Sequence, residues 1–206
     1  MKPVLIMLQL LVVSTPSPDA TDGTLQRYER TSPTATWTPV GKPIAVSVGA
    51  AGLKTDKREG DRASPAGLFA LGPVVVTGNP KDLRAPYVRA HEGSVCVDDP
   101  QSAAYGLITG IDAFPKAATW QSAENMQMYR RAVVVEYNRP ARAGRGSCIF
   151  LHAWSYPGEP TLGCTAMSAE HLRSVSAWLD PARTPFLLQG VAPSPGSLLA
   201  SLPPTR

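Results

Sequence analysis

Short apolar runs rich in β-branched residues recur along the chain, and glycine, proline or serine separates them. Runs of roughly four to eight such residues, bounded by turn residues, are typical of strands. The run that starts at Gly67 is interrupted at Gly72-Pro73. Because proline cannot donate to a strand ladder, we expect a bend or a sheet edge there. The pattern predicts strands at 44–48, 67–71, 74–76, 94–97, 132–137, 148–152 and 186–188.

Two segments combine helical periodicity with capping residues. Residues 168–179 begin with Ser168, carry apolar residues at helical spacing and are followed by Pro181, which cannot continue a helix. Residues 122–128 begin with Ser122, a second favourable cap. We therefore predict helices over 122–128 and 168–179. The second follows closely on a cysteine, so its N-terminal dipole is expected to stabilise a nearby thiolate.

The N-terminus has the pattern of a secretory signal peptide. Lys2 precedes an apolar run over 4–13, which only Gln9 interrupts, and residues 14–20 are polar. The run is shorter than the about 20 apolar residues that cross a membrane comfortably. It predicts a signal peptide over 1–20 with cleavage after Ala20. An uncleaved N-terminal anchor is the alternative.

The remaining chain is expected to form one domain between two loose segments. Residues 21–40 are rich in Ser, Thr and Pro, which is typical of a linker. Residues 41–190 contain the predicted strands and helices and are expected to be the catalytic domain. The Pro-rich residues 191–206 predict a flexible tail. A chain of 206 residues has room for one well-buried core and little more.

Composition narrows the class of protein. The chain has 21 Pro, 17 Gly and only 17% charged residues, which favours a loop-rich β protein over a helical bundle. The net charge of +4 and the pI of about 9.1 suit an anionic surface such as a bacterial wall, or simply a basic exported protein. Because no basic stripe carries interleaved aromatic residues, nucleic-acid binding is not expected.

The strongest chemical signal lies where an apolar run ends in His152 and a short loop leads to Gly163-Cys164. A thiol becomes a nucleophile when a base takes its proton, and imidazole is the usual base. Glycine permits a tight turn that leaves the sulfur open. The pair predicts a Cys/His acyl-transfer site, with a buried structural thiol as the alternative. A zinc site is disfavoured, because the three Cys and three His lack the spacing of zinc ligands.

These residues lie in segments that resemble a known family, the L,D-transpeptidases of the YkuD-like type, which cross-link bacterial peptidoglycan. Residues 57–69 (KREGDRASPAGLF) resemble an early segment of the family, and His152 with 161–164 (TLGC) resembles its catalytic segment. Residues 97–100 (VDDP) and 146–152 (GSCIFLH) are similar to one branch of it.

The resemblance implies a mainly β fold, a mixed β-sandwich with two or three short helices. It implies that Cys164 attacks the carbonyl between the third residue of a stem tetrapeptide and its terminal D-alanine, with His152 as the base. A backbone carbonyl would orient the imidazole, and N–H groups around Gly163 and Cys164 would hold the oxyanion. The product is an acyl-enzyme thioester. We expect three further residues to bind substrate: Thr161, Thr165 and Trp154. No metal or cofactor is implied, and the partners are peptidoglycan stem peptides.

The chain departs from the family at two places. Leu162 stands where the family often has His, and Ala166 where it often has Arg. The acceptor is therefore open: an amine gives a transpeptidase, and water gives an L,D-carboxypeptidase. A wall-binding module with a decayed site and a secreted cysteine peptidase acting on ordinary peptides are the rival hypotheses. In each case we expect export to the periplasm or the cell wall.

The three cysteines are an odd number for an exported chain. Cys164 has the loop context of a nucleophile, whereas Cys96 and Cys148 lie in apolar, strand-like runs. We predict a Cys96–Cys148 disulfide with Cys164 free. Two buried thiols are the alternative, because sequence alone does not fix a pairing.

The other polar candidates have simpler interpretations. Asp98-Asp99 is expected to form a turn in which Asp caps backbone amides, with support of the cleft as the weaker reading. The charged loop 54–62 is either a solvated surface or a rim that contacts stem-peptide carboxylates. His171 is expected to face solvent and His91 to lie in a loop, with contact to substrate as the weaker alternative for each.

Overall fold

The structure is a computed structural model and describes residues 7–109 and 119–202. Within these residues the chain forms mostly strands, with two α-helices and two short 3₁₀ turns. The helices are α1 (Ala169–Trp178) and α2 (Pro195–Ala200), and the turns are Met126–Met128 and Pro181–Arg183. The strands are β1 (Gln9–Thr15), β2 (Asp22–Glu29), β3 (Thr38–Ser47), β4 (Leu53–Lys54), β5 (Ser64–Pro65), β6 (Gly67–Val76), β7 (Tyr87–Arg89), β8 (Val95–Val97), β9 (Ile108–Thr109), β10 (Ala123–Asn125), β11 (Arg131–Val135), β12 (Phe150–Ala153), β13 (Thr165–Met167) and β14 (Pro185–Val191).

One large sheet organises the domain. Its strand order is β11-β12-β13-β3-β2-β1-β14-β6-β7, and β11 also pairs with β6, so the sheet closes on itself. A mainly β fold with few helices is therefore confirmed. The expected sandwich of two facing sheets is not confirmed by the described strands. Small sheets of β10-β8-β9 and β4-β5 complete the structure.

The two faces of the closed sheet carry different clusters. Because side chains alternate along a strand, neighbouring residues such as Leu151 and His152 face opposite sides. Leu151 belongs to the largest buried cluster, together with Leu11, Val133 and apolar residues of α1. The opposite face of β11 and β12 packs against Met126 and Cys96, in a second cluster that includes Cys164. The sequence-predicted active site therefore lies on this second face.

The N-terminal boundaries differ from those expected. Residues 9–13 of the apolar run predicted as the core of a signal peptide belong to β1, which is buried along its whole length between β2 and β14. Cleavage after Ala20 would remove β1 from the sheet. An apolar run of this length has the hydrophobicity of a leader and equally that of a strand covered on both faces, so the pattern does not separate the two. Residues 1–6 of the predicted leader lie outside the described residues.

The predicted linker and tail also contain regular structure. Residues 21–40 include β2 and the start of β3, so the folded domain begins well before Gly41. Within 191–206, α2 lies near β1, and Leu198 packs with the cluster that contains Leu10. Residues 203–206 lie outside the described part. Among the residues that the structure describes, no helix has the length and apolar character needed to cross a membrane.

One predicted helix is confirmed and the other is wrong. Ser168 Oγ accepts the His171 N–H at the start of α1, and Leu172 and Val175 are buried, as the periodicity predicts. Residues 122–128 instead form β10 and a 3₁₀ turn, which Asn125 caps in place of Ser122. Pairing of β10 with β8 overrides the local helical signal there.

Candidate active site

Two neighbouring parallel strands bring Cys164 and His152 to one face. In β12 and β13, Leu151 pairs with Thr165 and His152 pairs with Ala166. Cys164 comes immediately before β13 and so lies opposite Phe150, two residues before His152 on the same face. The Phe150 N–H donates to Cys164 Sγ at 3.3 Å. The sheet register thus fixes both side chains that the sequence selects as nucleophile and base.

The sulfur of Cys164 is buried and held by backbone groups. Only 8% of the residue is exposed, and its thiol donates to the Cys148 carbonyl at 3.5 Å. Burial raises the pKa of the Cys164 thiol, and the charge of Glu124 raises it further, while the Phe150 N–H and the charge of Lys57 act in the opposite direction. The resting group at neutral pH is therefore a thiol rather than a thiolate.

His152 has the protonation state of a base. Its Nδ1 lies 2.9 Å from the Ala153 carbonyl oxygen, which can only accept, so Nδ1 carries the proton and Nε2 keeps its lone pair. Burial lowers the pKa of His152, although the bond to Ala153 and the charge of Glu159 oppose this. The ring is therefore neutral at pH 7. The Tyr129 ring lies 5.1 Å away, centroid to centroid.

The turn that presents Cys164 is held by two hydroxyl groups. Thr161 Oγ1 donates to the Cys164 carbonyl at 2.7 Å and accepts the Gly163 N–H at 3.1 Å. Ser64 Oγ donates to the same carbonyl at 2.6 Å. Thr161, predicted to bind substrate, is only 7% exposed and shapes the turn instead. The Gly163 N–H, predicted as an oxyanion donor, already has an acceptor within the turn.

Gly163 itself is required by its backbone and its surroundings. Its φ of 146° lies in a region that residues with a side chain rarely adopt. A Cβ at this position would lie 3.1 Å from the Ala63 carbonyl oxygen and 3.2 Å from both Cε and Nζ of Lys57. The glycine thus lets the loop that carries Lys57 approach the turn next to the nucleophile.

A cavity of about 430 Å³ opens beside Cys164. Its wall includes two cationic side chains, Lys57 and Arg62, and three carboxylates, Glu59, Asp98 and Glu124. Leu162, at the position where the family often has His, also lines it and is 76% exposed. A charged cavity next to a thiol can accommodate a polar peptide and place its carbonyl at the sulfur.

One carboxylate of the cavity wall, Glu124, is held by a tyrosine. Glu124 accepts a hydrogen bond from the Tyr129 hydroxyl, whose ring contacts both Phe150 and His152. Burial raises the pKa of Glu124 against this hydrogen bond, and the nearby charges of Asp98 and Glu59 raise it further. The Glu124–Tyr129 pair therefore links the charged cavity to the ring of the base.

Two predicted substrate contacts lie elsewhere. Thr165 faces the side of the sheet opposite Cys164, is 2% exposed and donates from Oγ1 to Gln189 Oε1 at 2.7 Å. It contributes to the interior and not to the cleft. Trp154 follows β12, where its N–H donates to the Met167 carbonyl, and it does not line the cavity beside Cys164.

Cys96 and Cys148 form a disulfide, and Cys164 is free. The bond ties β8 to the segment before β12, whose Cys148 carbonyl accepts the Cys164 thiol. Cys148 adopts a φ of 54°, unusual for a residue with a side chain. The disulfide therefore supports the backbone that accepts the Cys164 thiol.

Several residues of the site were missed or undervalued at the level of sequence. Glu124 lies in the segment 122–128 that was wrongly predicted as a helix, and Tyr129 follows that segment directly, so neither side chain was predicted to belong to the site. Ser64 and Lys57 lie in the segment 57–69, whose resemblance to the family was the one sequence signal that they could belong to the site. Among the described residues, no group of three or more His, Cys, Asp or Glu side chains is arranged to hold a metal ion.

Comparison with known proteins places the chain in a family. The sequence profile of YkuD, the L,D-transpeptidase catalytic domain, matches residues 11–188. The chain therefore belongs to this family, and the match begins within β1 and ends within β14. No curated protein and no solved structure matches the chain.

Proposed function

We propose that the protein is a cysteine L,D-transpeptidase that acts on peptidoglycan stem peptides in cell-wall biogenesis or remodelling. The observation that carries the proposal is the shared face of Cys164 and His152, with Nδ1 tied to Ala153 and the sulfur at a charged cavity. Membership of the L,D-transpeptidase family supports the choice of substrate.

The proposed reaction starts from a neutral pair. A stem-peptide carbonyl enters the cavity. The proton of the Cys164 thiol, which is hydrogen-bonded to the Cys148 carbonyl at rest, moves to His152 Nε2 as Sγ attacks the carbonyl carbon of the stem peptide. The C–S bond forms and the carbonyl electrons move to oxygen. The Cys164 N–H is the proposed backbone donor to that oxyanion, since the Gly163 N–H is bound to Thr161. Collapse of the adduct expels D-alanine, whose nitrogen takes the proton from His152.

The acyl-enzyme is resolved by a nucleophile that reverses these steps. An acceptor amine gives up a proton to His152, attacks the thioester and forms an amide, while Cys164 recovers its proton. Water in place of the amine gives the carboxypeptidase reaction. The two outcomes are distinguished by incubating the enzyme with tetrapeptide in the presence and absence of an acceptor amine and identifying the product by mass.

We also propose that the protein works outside the cytoplasm, in the periplasm or cell wall. The Cys96–Cys148 disulfide supports this, because such bonds persist in oxidising compartments. Detection of the protein by protease accessibility in spheroplasts tests the location. A protein recovered only with the cytosol, with its cysteines reduced, would contradict it.

The first test is the intact mass of the protein after incubation with a carbapenem, a class that acylates L,D-transpeptidase cysteines. We expect one adduct on the wild type and none on Cys164→Ala. Turnover of a tetrapeptide with release of D-alanine then tests the reaction itself. An unmodified wild type that binds wall sacculi without forming product would favour the wall-binding hypothesis.

A further inference from the structure

Lys57 is a buried lysine at the edge of the candidate active site. Its side chain is 3% exposed, whereas lysine is almost never buried unless it is paired. Nζ forms an ion pair with Asp61 Oδ1 at 3.1 Å and donates to the Arg58 carbonyl at 3.2 Å. These two partners lie in its own loop and hold the ammonium in place at the edge of the site.

The ammonium faces the turn that carries the nucleophile. A Cβ on Gly163 would lie 3.2 Å from Nζ, and a Cβ on Gly146 would lie 3.2 Å from Lys57 Cε. Both glycines have positive φ, at 146° and 101°, so neither position readily accepts a side chain that would displace the lysine. Lys57 and Cys164 line the same cavity. The side chain therefore runs between two glycines and ends next to Gly163-Cys164.

Lys57 differs from the other charged groups around the sulfur in its effect on the Cys164 thiol. The cavity wall carries Arg62 on the positive side, and Glu59, Asp98 and Glu124 on the negative side. His152 of β12 is neutral at pH 7, and the hydroxyl of Tyr129, which lies between the 3₁₀ turn and β11, donates to Glu124. Glu124 disfavours a thiolate at Cys164, and Lys57 is the cation whose charge favours one.

The turn also lacks one of the backbone donors expected of it, because the Gly163 N–H is bound to Thr161 Oγ1. An ammonium next to Gly163 can occupy that role with a full charge, which stabilises a developing oxyanion in a site shielded from water. We propose that Lys57 is a catalytic residue, whose ammonium stabilises the Cys164 sulfur as it loses its proton and the oxyanion that its attack creates. This inference rests on Cys164 being the nucleophile.

The test compares Lys57→Met with Lys54→Met. Lys54 is a matched control, because its Nζ also pairs with Asp61, at 3.8 Å, but its side chain is 47% exposed and lies outside the cavity beside Cys164. The readout is the rate of alkylation of the one free thiol by iodoacetamide across pH. We expect Lys57→Met to react about tenfold more slowly at pH 8, as its thiolate forms at higher pH, and Lys54→Met to match the wild type.

A second variant guards against loss of fold in the first. Lys57→Met leaves Asp61 without its buried partner, whereas Lys57→Met combined with Asp61→Asn removes both charges of the pair. We expect the double variant to react about tenfold more slowly than Asp61→Asn alone. Alkylation equal to that of the parent in either comparison would overturn the inference, because a merely structural lysine would not move the thiol titration.

Release of D-alanine from tetrapeptide, measured on the same variants, separates this inference from the proposed function. A slower thiol in Lys57→Met together with an inactive wild type would support the electrostatic role and contradict the transpeptidase proposal. An active wild type, with unchanged thiol titration and unchanged kcat in Lys57→Met, would support the transpeptidase proposal and contradict the electrostatic role of Lys57. We expect the thiol titration to shift and kcat to fall by about tenfold or more.

Discussion

The two sides of the Cys164 sulfur are built differently. On the side of β12, the Phe150 N–H donates to the sulfur, Tyr129 packs in the same cluster as Cys164, and His152 lies on the same face of the sheet. On the side of the cavity, the neighbours are charges of both signs, led by Lys57 and Glu124. In the proposed reaction, the first side positions the nucleophile and receives its proton, and the second sets how readily that proton leaves. If so, substitutions on one side should change positioning and substitutions on the other should change the thiol titration.

The largest effect is expected from the side of β12. His152→Ala removes the acceptor of the thiol proton while the resting sulfur stays a thiol, so tetrapeptide turnover should fall by about 10²–10⁴-fold. Turnover and the far-UV circular dichroism spectrum together measure this. His91→Ala, which changes an exposed histidine, is the matched control and should retain activity.

The pH profile of kcat/KM reports on the same imidazole. Since burial lowers the pKa of His152, the acid limb should have its midpoint below 6.5, and activity should be level from there through neutral pH. The same shift means that stability is full above pH 6.5 and declines as the pH falls through the lower pKa of the folded state. An acid limb centred above 7 would contradict a neutral resting imidazole.

The next largest effect is expected from the covalent support of the backbone. Replacing both Cys96 and Cys148 by Ala opens a loop of 52 residues, which corresponds to about 4 kcal/mol of unfolding free energy in the chain-entropy estimate. Denaturant unfolding of this variant against the wild type is the measurement. Because the segment also accepts the Cys164 thiol, the pH profile of Cys164 alkylation in the variant should shift from that of the wild type. A variant with wild-type stability and titration would show that the disulfide does not support the site.

A smaller effect is expected from the turn. Thr161→Val keeps the shape of the side chain but leaves the Gly163 N–H without its acceptor and the Cys164 carbonyl with one donor fewer. We expect a loss of about 1–3 kcal/mol in the free energy of unfolding and a reduced kcat. Thr161→Ser, which keeps the hydroxyl, should restore most of both. If Val and Ser behaved alike, the hydroxyl would have no role in shaping the turn.

The smallest effect is expected on the charged side, and its sign is opposite to that of Lys57. Glu124→Gln keeps an acceptor for Tyr129 and removes the charge that disfavours a thiolate. Alkylation of Cys164 at pH 8 should therefore become faster by a few-fold, about three to ten. Slower alkylation would mean that the carboxylate acts on the thiol by a route other than its charge.

The position of the candidate site could be predicted from the sequence more closely than the limits of the fold. Cys164 and His152 stand out because a glycine turn and an apolar run ending in His are local patterns. The alternation of strand residues also carried information about Thr165, because a residue next to Cys164 in an extended segment points to the other face. That rule depends on knowing where the strand starts, which the sequence did not show.

The remaining misassignments have a common physical origin in long-range pairing. The segment 4–13 has the hydrophobicity of a leader, and only the pairing of its residues 9–13 with β2 and β14 places them in a central strand. Likewise, Lys57 is one charge among several in a polar loop. Its burial follows from the approach of that loop to Gly146 and Gly163, which are distant in sequence.

The pairing of the first strand with the last also constrains how the protein acquires its structure. Leu10 is paired with Phe186, so the parallel β1–β14 contact joins the two ends of the domain. During synthesis, β2 follows β1 directly, but β14, the other neighbour of β1, is made only near the end of the chain. The closed sheet is therefore completed last. Contacts of such high sequence separation slow folding, because the loop entropy is lost before the contact forms. We therefore expect the closed sheet to form only after β14, the last of its described strands in sequence, has been made.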